Sequence, residues 1–185
     1  MRTGGEKLRP LHLVRHSRGE GGDRARTVII GYGNPDRGDD GAGLLAAESL
    51  RGVAPAHVEI HTSTGDATTL LEAWRDREKA ILIDVFESGG VPGTVYRFEG
   101  PQALDMSAKC HTSTHGLGLR EAMRLGTQLG QMPRRMVVIG VEAGAMGFDR
   151  ELTPEVREAL PEIRRRVLEE LPQRVRKPPV RKPGV

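Results

Sequence analysis

A chain of 185 residues with one cysteine, 3% aromatic residues and a formal net charge of +3 excludes several classes of protein. It is long enough for one domain with its own apolar core, and the lone Cys110 rules out an internal disulfide framework and fits a reducing compartment. No apolar run approaches the ~20 residues of a membrane helix, and the glycine-rich start has no hydrophobic signal segment, so a cytoplasmic protein without membrane contact is expected.

The charge is unevenly placed. Residues 1–26 carry seven Arg and Lys against three acids, and residues 172–185 carry five with no acid, leaving −6 for residues 27–171. Glycines in the first segment and Pro178, Pro179 and Pro183 in the last favour disordered basic tails around an acidic body. The expected organisation is a disordered basic extension over 1–26, one domain over 27–171 and a Pro-rich basic tail over 172–185, with no internal repeat. An acidic body poor in aromatic rings points away from nucleic acid as a partner, and a monomer is expected.

In chain order, Val28-Ile29-Ile30 reads as a buried strand ending at Gly31. A glycine-rich loop to Gly43 opens a helix around 44–50, and 57–61 alternates as a second strand. Residues 67–75 place Leu70, Leu71 and Trp74 on one helical face. The apolar run 80–83, stopped by Asp84, has the pattern of a central strand buried on both faces. The strand 94–98 follows a turn over 89–93 too short for a parallel crossover, so these two strands should pair antiparallel. A helix over 115–128, a strand over 136–141 and a helix from Pro154 to about Glu170 complete the pattern, with Thr153 as N-cap. Alternating strands and helices predict an α/β protein, a three-layer α/β/α sandwich around a mostly parallel, mixed five-stranded sheet.

Ligands of open α/β sheets sit beyond the carboxyl ends of the strands. Three places stand out there: the loop 31–43, Asp84, and the segment Cys110-His111-Thr112-Ser113-Thr114-His115-Gly116. The loop lacks both the dinucleotide Gly-x-Gly-x-x-Gly and the Gly-Lys-Ser/Thr of a phosphate loop, and Asp39 and Asp40 would repel an anion at the helix start. One Asp explains a helix cap; the second is left for other work. Asp84 alone reads first as a buried carboxylate satisfied by loop amides, and His115 alone first as a satisfied loop or core histidine. Together, two carboxylates and an imidazole at three strand ends form a set suited to nickel or zinc with open positions. Cys110 is a rival nucleophile, yet its neighbour His111 points the other way on an extended segment, and Ser113 lacks a nucleophile-elbow context.

The loop Gly31-x-Gly33-Asn34-x-x-x-x-Asp39-Asp40-Gly41-x-Gly43 resembles the N-terminal signature of hydrogenase maturation proteases. The resemblance continues through Gly65-Asp66, Ile83-Asp84, Pro92-Gly93-Thr94-Val95, Ser113-Thr114-His115-Gly116-Leu117, Ile139-Gly140-Val141-Glu142 and Leu152-Thr153-Pro154-Glu155-Val156, covering roughly residues 27–170. It implies an endopeptidase that trims the C-terminal extension of a nickel–iron hydrogenase large-subunit precursor. By the same resemblance Asp40, Asp84 and His115 contact a nickel ion carried by the substrate and not resident in the protease, and Asp39, Asn34 and Glu142 support them. A non-enzymatic module that binds nickel or the precursor fits the same residues. Gly31-Tyr32-Gly33-Asn34-Pro35 is also similar to the opening of peptidyl-tRNA hydrolases, whose next motif is replaced here by Asp-Arg-Gly-Asp-Asp-Gly.

Overall fold

The computed structural model describes residues 27–100, 102, 114–148 and 150–171; both expected tails lie outside these residues. The elements in order are β1 (Thr27–Tyr32), a 3₁₀ turn (Asp39–Gly41), α1 (Ala42–Ser49), β2 (Glu59–Ser63), α2 (Ala67–Trp74), β3 (Lys79–Phe86), β4 (Val95–Glu99), α3 (Thr114–Gln128), β5 (Arg135–Glu142) and α4 (Pro154–Glu169). All six residues of β1 and all eight of β3 are buried, as strands covered on both faces must be.

The five strands form one sheet in the order β2-β1-β3-β5-β4. Neighbours are parallel except β4, which runs antiparallel to β5. Side chains alternate across each strand, so the sheet divides the interior into two cores. Ile29, Ile81, Ile83, Val137 and Ile139 face α1 and α4, where Ala46, Ala47, Val156, Ile163 and Val167 meet them. Val28, Ile30, Leu82 and Val138 face α2 and α3, against Leu70, Trp74, Leu119 and Met123. Each fully buried aliphatic side chain contributes about 1.5–3 kcal/mol, so the two cores carry the fold. This is the expected three-layer sandwich. Among the described residues no helix is long and apolar enough to cross a membrane.

Three expectations need correction. The strand at 80–83 does not stop at Asp84: β3 continues to Phe86, pairing Asp84 with Gly140, Val85 with Val141 and Phe86 with Glu142. Gly140 makes this possible, because a Cβ there would lie 1.9 Å from the Phe86 ring. The second concerns β4, which is antiparallel as expected but pairs with β5 instead of β3. The central place goes to β5, buried from Met136 to Glu142, while β4 is only half-buried and exposes Arg97, a pattern suited to a sheet edge. The strand 57–61 also lies two residues later than expected, at Glu59–Ser63.

Helix α4 is held at its far end by Glu170, whose carboxylate accepts hydrogen bonds from Lys79 Nζ at 2.7 Å and Arg97 Nε at 2.6 Å. Burial pushes this carboxyl up, but the two cations outweigh burial and hold it at about 2. The near end of α4 is thereby presented to the carboxyl edge of the sheet.

Helix α1 reaches that edge only because Gly43 lacks a side chain. A Cβ at Gly43 would lie 2.3 Å from the Tyr32 carbonyl oxygen and 2.6 Å from that of Ile83. Gly43→Ala must therefore push α1 off β1 and β3, with an expected loss of about 2–3 kcal/mol in chemical denaturation. Gly65→Ala, with nothing within 4 Å of the added carbon, should stay within about 0.5 kcal/mol of the parent. Equal stabilities for the two variants would contradict this packing.

Candidate active site

The strand order places a crevice at the carboxyl ends of β1 and β3. From β1 the chain moves outward to β2, and from β3 it moves the other way toward β4, so the loops part between them. The loop after β1 and Asp84 of β3 meet there.

That loop is folded back on itself. Asp36 N donates to Asn34 Oδ1 at 2.9 Å and Gly41 N to the Gly38 carbonyl at 3.1 Å. Gly33 has φ 143°, and a Cβ on it would lie 1.8 Å from the Asp40 carbonyl oxygen. Only glycine permits that closure.

Neither acid of the pair caps a helix, contrary to the expectation that one would. The Asp39 carboxylate accepts four hydrogen bonds from the segment between β5 and α4. Gly144 N and Ala145 N each donate at 2.8 Å, Thr153 N at 2.7 Å and Thr153 Oγ1 at 2.9 Å. The Thr153 hydroxyl is thus drawn away from its own helix to Asp39. A fully buried carboxylate gains more from four donors than a cap offers.

Asp40, also fully buried, turns to the other side. Its Oδ2 lies 3.6 Å from Arg37 Nη1, and its charge is felt by both Asp84 and Tyr32. Asp84 lies two residues from both Leu82 and Phe86 along β3 and so shares their face, the α2 and α3 side, as does Tyr32. Burial raises the Asp84 carboxyl to about 7, with the Asp40 charge adding to the rise and a 2.8 Å hydrogen bond from Val85 N opposing it. The Tyr32 hydroxyl donates to the Gly65 carbonyl at 3.3 Å, and it too is pushed up by burial and by the charges of Asp84, Asp40 and Asp66.

His115 stands in the first turn of α3. One turn further on, a Cβ on Gly118 would lie 2.4 Å from the Tyr32 hydroxyl oxygen, so the start of α3 rests on the face that carries Tyr32 and Asp84. The side chain of His115 lies outside the described residues, as do Cys110, His111 and Ser113. Among the described side chains no three of His, Cys, Asp or Glu form a cluster.

The two residues assigned supporting roles beside Asp39 have structural partners. Glu142 accepts from Ser88 N at 2.8 Å, Gly90 N at 2.9 Å and Ser88 Oγ at 2.7 Å, pinning the loop between β3 and β4. Asn34 holds the turn to Asp36. Arg37 and Tyr32 received no role from the sequence, although spacing held a signal: Arg37 is three residues from Asp40, and Tyr32 shares the face of Asp84.

A family model described as hydrogenase maturation protease (HycI) matches residues 51–170, a span that contains Asp84 and His115 and begins beyond the Asp40 loop. The hydrogenase expression/formation protein HupD of Thiocapsa roseopersicina is 26% identical over 149 residues, covering 79% of this chain and 67% of its own. The hydrogenase 2 maturation protease of Escherichia coli (strain K12) is 29% identical over 136 residues, covering 71% and 81%. In fold, the chain is similar to the E. coli hydrogenase maturating endopeptidase HybD, with TM-score 0.72 at 24% identity over 78% of this chain and 90% of that one. It is also similar to the [NiFe] hydrogenase maturation protease HycI of Thermococcus kodakarensis KOD1, with TM-score 0.59 at 27% identity over 78% and 91%.

The raised Asp84 carboxyl has a consequence for stability. Folded protein keeps a proton at Asp84 that the unfolded chain releases from its ordinary value upward. This contribution is fully present below the ordinary carboxylate value and is lost as pH rises through about 7. Asp84→Asn retains the shape and removes the titration, so its melting temperature should gain on the parent's between about pH 5 and about pH 8. Parallel curves over that window would contradict the raised value.

Proposed function

The chain belongs to the hydrogenase maturation protease family, and on that premise we propose that it is the endopeptidase that removes the C-terminal extension of a nickel-loaded hydrogenase large-subunit precursor. Nickel enters as part of the substrate. Asp40, Asp84 and His115 recognise it there, and the protein acts in the cytoplasm as a monomer on a protein partner, without nucleic acid or membrane.

The observation that carries this reading is the pair of buried carboxylates, Asp40 and Asp84, each in the other's field at the sheet's carboxyl edge. Two such groups repel, and burial penalises each charge. A divalent cation relieves both penalties at once, and oxygen donors with an imidazole suit nickel. His115 belongs to the first turn of α3, the helix whose Gly118 packs against the Tyr32 hydroxyl.

Recognition then doubles as permission. A precursor without nickel brings nothing to balance Asp40 and Asp84, and its extension has no reason to settle at the crevice. With nickel present, the ion holds the adjoining peptide beside the two carboxylates, and two routes to hydrolysis are open. Polarisation of the scissile carbonyl by the ion is one. The other is activation of water by a carboxylate, for which a group titrating near neutrality such as Asp84 is well matched.

The test is to mix the protein with a large-subunit precursor, with and without loaded nickel, and to follow precursor mass. A C-terminal fragment should leave only the loaded form, and Asp40→Ala or His115→Ala should slow its release roughly 100-fold or more. Cleavage of the nickel-free form at the same rate, or unchanged rates in both variants, would contradict the proposal.

A further inference from the structure

We propose that Arg37 is the internal counter-cation of Asp40, which an incoming divalent cation displaces, so that Arg37 sets how strongly the site discriminates for its metal. The proposal rests on the metal-reading role given above to Asp40 and Asp84.

Three observations on the same loop support it. The guanidinium and the carboxylate form an ion pair three residues apart, with only 18% and 1% of their side chains exposed. At 3.6 Å from Nη1 to Oδ2 this contact is longer than the ~2.7–2.9 Å of a charge-assisted hydrogen bond. The pairs that lock Glu170 at the other end of the sheet are 2.6 and 2.7 Å. Arg37 therefore balances Asp40 without being locked to it.

The guanidinium also has a second seat. Its Cζ lies 5.6 Å from the centroid of the Phe148 ring, a residue 70% exposed. A cation over an aromatic face is attracted to it. Phe148 lies just beyond the segment that Asp39 ties to the loop, and Gly147 N donates to the Arg37 carbonyl at 3.4 Å, so both seats are fixed to one frame. A guanidinium that leaves Asp40 stays on Phe148 and is not stranded in a dry interior.

Charge decides which state wins. Arg37 brings one positive charge to Asp40, and the buried Asp84 feels the charge of Asp40. A divalent ion neutralises both carboxylates, so it gains what the guanidinium does not. A monovalent ion has no such advantage. Because the resting ion pair must open first, the apparent affinity falls by the fraction of molecules in which Asp40 is already engaged. If Arg37 holds Asp40 in nine molecules of ten, the metal binds about tenfold more weakly than the bare site would allow.

The test uses Ni2+ alone, titrated calorimetrically into the full-length protein and its variants at one pH, with melting temperatures recorded alongside. Arg37→Gln and Arg37→Met, the latter keeping an apolar stem against Phe148, should bind Ni2+ about tenfold more tightly than the parent. Arg37→Lys, which keeps the charge, should stay near parental affinity. In an Asp40→Asn background, Arg37→Gln should change nothing. An arginine with a merely structural role gives the opposite sign, since its loss loosens the site and weakens binding. The proposal is overturned if neither neutral variant tightens binding, or if no variant and no parent protein takes up Ni2+. Precursor cleavage is scored separately: tightened Ni2+ binding with no cleavage of any precursor would contradict the protease reading and leave the role of Arg37 standing.

Discussion

Four hydrogen bonds converge on the buried carboxylate of Asp39, and the geometry of the sheet's carboxyl edge follows from them. They join the loop after β1 to the segment that enters α4, two parts of the chain more than a hundred residues apart in sequence. A buried carboxylate without donors would be costly, so the two segments stay joined. Asp40, the next residue, then has no freedom to swing outward. Its burial is imposed by its neighbour's hydrogen bonds together with the closure of the loop at Gly33.

Among the described residues, the four buried acidic side chains lie at this edge in two pairs with opposite duties. Asp39 and Glu142 are saturated with amide and hydroxyl donors, and each pins a loop beside the crevice. Asp40 and Asp84 are buried as well, and burial, with the Asp40 charge adding to it, raises the Asp84 carboxyl to about 7. The first pair supplies rigidity, and the second is the pair to which we assign recognition of a cation. The loop that carries Asp40 is held in place by the bonds of Asp39 and by the closure at Gly33. Arg37 forms an ion pair with Asp40 on the same loop.

Much of the fold was legible in the sequence because it is written in uninterrupted runs. The β-branched and aliphatic stretches of β1, β3 and β5 admit few other readings, and Thr153-Pro154 marks the start of α4 plainly. The partner of β4 was not legible. Its antiparallel sense followed from a short turn, but its place beside β5 depends on which strand can be buried on both faces, a competition between distant segments. The extent of β3 past Asp84 likewise depends on the space left by Gly140, fifty-six residues away.

At the site, residue types and spacing singled out the acidic loop and Asp84 as candidates but could not divide the work between Asp39 and Asp40. Adjacent acids look alike in one dimension, and the distinction comes from Thr153 and the amides of Gly144 and Ala145. Arg37 and Tyr32 were passed over for a related reason: their roles depend on what lies across the loop and above the sheet, not on their own neighbours. The central claim is that Asp40, Asp84 and His115 meet on one divalent cation. The most direct measurement is a crystal soaked in Ni2+ and recorded at the nickel absorption edge. One anomalous peak is expected within bonding distance, about 2.0–2.2 Å, of a carboxylate oxygen of Asp40, one of Asp84 and a ring nitrogen of His115. A peak held by other residues, or one from which any of the three is turned away, would contradict it.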